Sequence, residues 1–210
     1  MVREMPFPLK VQIVHPEQSA CDAFARRFAR LINVRVVRGT FEELDAQDCF
    51  VTAGNSFGIM TAGIDAAVIR LLGTGMMAAV QHRILDEYLG EQPIGTAFIE
   101  PTGHERIGFL CHAPTMRVPG SIAGTDKVYC AAFASLVAIY RHNVTQARKI
   151  ETVTFPAMGT GFGGMAFDEA ARQMAAAYEH YLHPPHRLDW DVVVGRHKAI
   201  AYDGGKQMVR

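Results

Sequence analysis

Along the first forty residues, apolar and polar positions change period twice. "KVQIV" (10–14) alternates and predicts a strand, whereas residues 17–32 put Phe24, Phe28, Leu31 and Ile32 on one helical stripe. "VRVVRG" (34–39) alternates again and stops at a glycine, and "DCFVTAG" (48–54) is a short apolar run that reads as a buried strand opening into "NSFGIMT". A helix is expected from about Thr61, broken at Gly73-Thr74-Gly75 and restarting with Thr74 as its cap. In the restarted segment Met77, Val80, Ile84 and Tyr88 recur at steps of three and four. "GTAFIEP" (95–101) and "IGFLCHAP" (107–114) predict two more strands around the turn-rich "TGHER". A long helix over 126–142, a strand at "TVTF" (152–155) and a helix over 167–182 follow. The buried stripe of that last helix is Phe167, Ala170, Ala171, Met174, Tyr178 and Tyr181. After "HPPH" (183–186), "DVVVG" and "KAIAY" are either paired strands or pieces of a final helix, and helix is the preferred reading.

Strands alternating with helices predict an α/β layer fold with a mainly parallel sheet, whose ligands bind beyond the carboxyl ends of the strands. No repeat or linker interrupts the 210 residues, so one domain over 1–210 is expected. Hydrophobic residues make up 49% and charged residues 20%, which fits a soluble globular chain. Lysine plus arginine equals aspartate plus glutamate, 21 each, so the total charge gives no call for nucleic acid or an acidic membrane. Cys21, Cys49, Cys111 and Cys130 lack the spacing of a zinc site or a disulfide framework and read as reduced thiols. The N-terminus has no signal-peptide layout, and the longest apolar run, near 130–140, falls short of the roughly 20 residues a membrane span needs. A cytoplasmic protein is expected.

Two loops leave strands with unusual chemistry. In "FPAMGTGFGGM" (155–165), Gly159, Gly161 and Gly164 formally match the dinucleotide fingerprint G-x-G-x-x-G. That fingerprint needs a second strand ending in an acid about 20 residues on. Here the following helix runs into Pro184-Pro185 near the end of the chain, so the dinucleotide reading fails. What survives is a row of backbone N–H groups with little in the way of close approach, suited to an anion; the plainer reading is a tight turn requiring positive φ. In "AGNSFGIMTAGID" (53–65), Asn55 either holds a sugar hydroxyl or closes an Asx turn. Asp65, in the first turn of a helix, acts either as a general base or as a charge that favours the helix N-terminus.

Other clusters are weaker. His180, His183 and His186 are interrupted by Pro184 and Pro185, so no metal site is expected. Cys111 and His112 are neighbours on a strand and face opposite ways, so they do not form a nucleophile and its base. Arg26, Arg27 and Arg30 read as a solvated helix face, and Arg148 and Lys149 as cations at a helix end.

Taken together, the two loops resemble those of the macro domain family, over about residues 34–182. The family's N-A-A-N, glycine-rich stretch and G-V-D appear here as Thr52-Ala53-Gly54-Asn55, Ser56 to Ala62, and Gly63-Ile64-Asp65. "NSFG-x-M" and "APTMRVP" (113–119) are similar to one bacterial branch, and the second loop matches P-x-x-G-T-G-x-G-G before an alanine-rich helix. The resemblance implies a three-layer α/β/α fold with a mixed, mainly parallel sheet, and ADP-ribose or an ADP-ribosylated substrate as ligand. Asn55 would hold the distal ribose and Asp65 would activate the attacking water. Backbone groups of Gly159, Thr160, Gly161, Phe162, Gly163 and Gly164, with Ala53, Gly54, Gly63 and Ile64, would line the diphosphate site. The implied reaction releases ADP-ribose from a carboxylate ester, an acetylated form or a modified nucleic acid, without metal or redox cofactor; a non-catalytic ADP-ribose-binding module is the alternative. Three positions depart from the family. Thr40 stands where an acid usually reads the adenine amino group. Met60, Thr61 and Ala62 replace loop glycines and are expected to narrow the ligand space. Gly163 occupies the usual aromatic slot, leaving Phe162 either to cover the ribose or to point into the core.

Overall fold

A computed structural model describes residues 9–201. The strands are β1 (Lys10–His15), β2 (Val34–Arg38), β3 (Gln47–Thr52), β4 (Phe98–Pro101), β5 (Ile107–His112) and β6 (Thr152–Pro156). The helices are α1 (Gln18–Phe28), α2 (Gly63–Leu72), α3 (Thr74–Tyr88), α4 (Lys127–Thr145), α5 (Phe167–Leu182) and α6 (Trp190–Ile200). One sheet has the order β2-β1-β6-β3-β5-β4. All its pairs are parallel except β4–β5, where a short turn suffices to reverse the chain.

Strand side chains alternate between two separate cores. Cys49 and Val51 of β3, with Phe109 and Cys111 of β5, pack with α1, α4 and α5. Phe50 and Leu110, one residue out of phase, pack with α2 and α3. Helices on both faces explain why β3 and β5 read as continuous apolar runs rather than alternating ones. The fold is thus three-layered with a mixed, mainly parallel sheet. No single helix among the described residues is long and apolar enough to cross a membrane.

Several boundaries differ from expectation. Helix α1 ends at Phe28, where Leu31 N–H turns back to the Phe28 carbonyl (2.9 Å) and Asn33 takes a left-handed φ of 58°. Ile32 therefore ends up 61% exposed instead of joining the core. Thr74 is not a cap but the first residue of α3; Gly73 (φ 86°) occupies the cap, because α2 and α3 bend by 116° there. A 3-10 turn at Phe41–Glu43, closed by reciprocal Thr40 and Glu43 hydrogen bonds, has no apolar periodicity to announce it. The tail folds as the single helix α6, capped by Asp189; Tyr202 of "KAIAY", the residues after it, and the N-terminal stretch 1–8 lie outside the described residues. Arg26 and Arg27 are not a free solvated face: both pair with Asp168 at the start of α5. Lys149 does bond the last carbonyls of α4, at Asn143 (2.5 Å) and Gln146 (2.7 Å).

The entry of β6, which delivers the second loop, is held by one buried and one half-buried polar side chain. Asn143 Nδ2 donates to the Ile150 carbonyl and its Oδ1 accepts from Ile150 N–H, both at 2.8 Å. Asp48 accepts from Glu151 N–H, Thr152 N–H and Thr152 Oγ1. Replacing Asn143 with Ala strands two buried backbone groups, so a stability loss of about 2–3 kcal/mol is expected. A lowered urea midpoint at unchanged slope measures it.

Candidate functional site

The carboxyl ends of β1, β6 and β3 open onto a cleft of about 530 Å³. The first loop forms one wall, through Ala53, Gly54, Asn55 and Thr61 to Asp65; the second forms another, through Gly159 to Gly163. Thr115, Met116, Val118 and Pro119 contribute a third side, and Gly39 to Glu42 with His15 close one end. The structure thus brings the sequence-selected residues together, except Gly164, which is not among the residues that line the cleft.

The first loop is strung along the segment after β5. Ala113 N–H donates to Thr52, Thr115 N–H to Gly54, and Ser56 N–H to Met116, all at 3.1 Å. Within it the Asn55 side chain performs local work. Its Oδ1 accepts from Phe57 N–H (3.1 Å) and Ile59 N–H (3.3 Å), and its Nδ2 donates to the Ile59 carbonyl (2.9 Å). The Asx-turn reading is therefore realised, and one Asn55 amide hydrogen makes no bond among the described residues. Met60 does not narrow the cleft, because its side chain is buried against α3. Only Thr61 and Ala62 replace glycine at the surface of the cleft.

The second loop is shaped by two glycines that tolerate no side chain. At Gly159 (φ 76°) a Cβ would sit 2.6 Å from Val128, and at Gly163 it would sit 2.4 Å from the Gly159 carbonyl oxygen. That contact explains why no aromatic residue occupies position 163. Gly161 has open space around it. Phe162 is 61% exposed; its ring lies 3.6 Å from the Cβ position of Gly63, so it spans the two loops at the rim rather than entering the core. Thr160, Gly164 and Met165 N–H groups are taken by Ala157, Gly161 and Gly159 carbonyls. Gly159, Gly161, Phe162 and Gly163 N–H groups make no hydrogen bond among the described residues. Helix α2 points its N-terminal turn at the same space, beginning with Gly63 and Ile64. Among the described residues no lysine or arginine lines the cleft, so an anion there would be met mainly by backbone dipoles.

Asp65 borders the cleft but is only 6% exposed. Thr52 Oγ1 donates a hydrogen bond to its Oδ1. Burial raises the carboxyl to about 6, and the Thr52 hydrogen bond opposes that rise. Sequence reasoning missed Thr52 as a partner, and missed His112, Gln92 and His15. His112, fully buried, lies beside the loop with its Nδ1 2.6 Å from Gln92 Oε1, and burial lowers it to about 4. His15 is lowered by burial, offset by Glu17. Cys111 does face the other way, against α4, and burial pushes its thiol up to about 12. The tail histidines have separate partners: His180 meets the Tyr129 hydroxyl (3.0 Å) and His183 the Glu179 carbonyl (3.2 Å).

The macro domain family model matches residues 51–174, which contain both loops, the end of β3 and the whole of β6. The chain belongs to the macro domain family. An uncharacterized protein of Aquifex aeolicus is 30% identical over 143 residues, covering 68% of this chain and 79% of the relative. The macrodomain of Mycobacterium tuberculosis DarG superposes with a TM-score of 0.56 at 22% identity, covering 69% of this chain and 88% of that one. A glycine-to-valine variant of the Oceanobacillus iheyensis macrodomain, solved with ADPR, gives 0.56 at 21% identity, over 66% and 72%. Both structures share the macro domain fold with this chain. β3 and β6, which carry the two loops, are adjacent in the sheet.

Two outcomes are expected from this geometry. Gly163→Ala should unfold at a markedly lower temperature than the parent, because its clash is with backbone, whereas Gly161→Ala should unfold close to the parent; thermal melts compare them. For Asp65, the folded state holds its proton more firmly than an unfolded carboxyl near 3.9, so its buried charge lowers stability above pH 6 and ceases to do so as pH falls toward 4. Asp65→Asn should therefore add up to about 3 kcal/mol at pH 8 and almost nothing at pH 4. Denaturant titrations across that range read the difference. His112 acts in the opposite sense, its stabilisation being lost as pH falls from about 6.5 through 4, and subtracting parent from variant cancels it.

Proposed function

We propose that this macro domain binds ADP-ribose in the two-loop cleft and hydrolyses ADP-ribosyl linkages, with Asp65 as the base that activates water. The observation that carries the reading is the meeting, in one cleft, of unbonded second-loop N–H groups, the α2 N-terminus and a buried carboxyl titrating near neutrality. The diphosphate would lie against Gly159 to Gly163 and the first turn of α2. The remaining Asn55 amide hydrogen would donate to a hydroxyl of the distal ribose. Asp65 would take the proton of a water attacking the anomeric carbon, and a base titrating near 6 is mostly ionised at neutral pH yet basic enough to accept it. Phe162, exposed at the rim, would cover that ribose. Ligand-bound relatives support the binding half: the O. iheyensis macrodomain has been solved with ADPR and with ADP.

A binding module without turnover is the second reading, favoured by the near-complete burial of Asp65 and its engagement by Thr52. At the far end of the cleft Thr40 spends both N–H and Oγ1 on Glu43, and Glu42, which lines the cleft, is already paired through one oxygen with Arg70, so no dedicated acid stands at position 40 to read an adenine amino group. Selectivity for the base is accordingly expected to be loose, with other nucleoside diphosphate riboses bound nearly as well.

Calorimetry with ADP-ribose, ADP and NAD tests the binding half, and absence of heat with all three at millimolar concentration would overturn it. Gly161→Val should keep the parent melting temperature and lose at least about tenfold in ADP-ribose affinity, since its side chain enters the phosphate space. For catalysis, Asp65→Ala should bind ADP-ribose comparably and lose about 10²–10⁴-fold in turnover of an ADP-ribosylated substrate. Unchanged turnover would reduce Asp65 to a helix-end charge.

A further inference from the structure

His15 lines the cleft, yet the reading above gives it no task. It closes β1, and the parallel register sets it beside Arg38, next to the Gly39–Glu42 turn. Its carbonyl accepts from Gly39 N–H (3.1 Å) and from the Cys21 thiol (3.4 Å), which fixes the backbone. The ring meets Phe167, at the start of α5, edge to face with centroids 5.1 Å apart. Glu17 N–H donates to Nδ1 at 3.1 Å. In a neutral imidazole that acceptor role leaves the hydrogen on Nε2. Burial favours the neutral ring, against the charge of Glu17.

Nε2 thus carries an N–H, and it bonds nothing among the described residues. Unlike His112 Nε2, it is not shut off from solvent. Neither Glu17 nor Phe167 lines the cleft, so the ring turns those two contacts away and leaves its Nε2 edge toward the cleft. The other polar side chains at this end supply no donor. Thr40 gives its hydroxyl hydrogen to Glu43 and takes Glu43 N–H in return. Glu42 is a carboxylate engaged by Arg70, and it only accepts. Among the described residues, His15 holds the one free side-chain donor there.

We propose that His15 holds the ligand's base, its Nε2–H donating to a ring-nitrogen or carbonyl acceptor on that base. This rests on the cleft binding an ADP-ribose-type ligand. β1 lies between β2 and β6, and β6 delivers the loop assigned to the diphosphate. A ligand seated there and extending toward Gly39–Glu42 passes the end of β1. A single donor grips a base while discriminating weakly, because every purine offers an acceptor and only some carry a given amino group. The ring is pinned before the ligand arrives, so little ordering is left to oppose binding.

The test is calorimetry with two probes, ADP-ribose and a ribose diphosphate that lacks the base. His15→Asn keeps an acceptor for Glu17 N–H, as an Asx turn, but is too short to present a donor where Nε2 stands. Its ADP-ribose affinity should fall about three- to tenfold at an unchanged melting temperature. Its affinity for the base-free probe should stay at the parent's value. His15→Gln, whose amide reaches as far as Nε2, should restore most of the loss. Parental ADP-ribose affinity in a folded Asn variant overturns the proposal, as does an equal loss with the base-free probe. Nitrogen NMR of the parent's imidazole rings serves if the variants fail to fold. The His15 Nε2–H signal should move with ADP-ribose and stay put with the base-free probe, and a signal that ADP-ribose leaves in place sinks the contact. A parent that binds neither probe overturns the cleft reading, and the contact with it; a parent that binds both equally well removes the contact alone.

Discussion

The ladder that pins residues 52–56 against 113–117 carries the rest of the site. It continues the β3–β5 pairing past the end of the sheet, and isolated pairing of Asn55 with Met116 marks its last rung. Because the first loop is held there, Thr52 meets Asp65 on the helix that follows, and Gly54 lies over the His112 ring. The same ladder brings Thr115, Met116 and Val118 to the edge of the cleft. A one-residue slip would turn Thr52 and Gly54 to the other face and dissolve the constellation.

Two opposite burial effects coexist a few ångströms apart. Asp65 is raised and His112 is lowered, each because its charged form is shut off from water. A neutral imidazole and a carboxyl that ionises late make a dry, nearly uncharged corner beside the cleft, at a cost in stability.

Much of the architecture was legible before any coordinates. Period-two patterns and short apolar runs located the strands, period-three-to-four patterns located the long helices, and the resemblance to macro domains linked Asn55 and Asp65 to the glycine loop. The misses have physical causes. Helix α1 stops where a left-handed Asn33 redirects the chain, a choice that local apolar pattern does not record. Gly73 caps α3 because the α2–α3 bend is set by packing on the sheet, not by propensity. Met60 reads as a cleft obstacle in the sequence, yet only the path of the loop sends its side chain inward. Thr52 was invisible as the hydrogen-bond partner of Asp65 because thirteen positions separate them and only the path of the first loop brings the helix back to the end of β3.

Among the described residues no lysine or arginine lines the cleft, so the unbonded second-loop N–H groups and the N-terminal turn of α2 are the main positive ends it presents to an anion. Backbone dipoles lose their reach within a turn of helix, so attraction begins only when an anion is already seated. Arrival then gains little electrostatic steering, and the affinity should be nearly indifferent to ionic strength, since few counterions are exchanged.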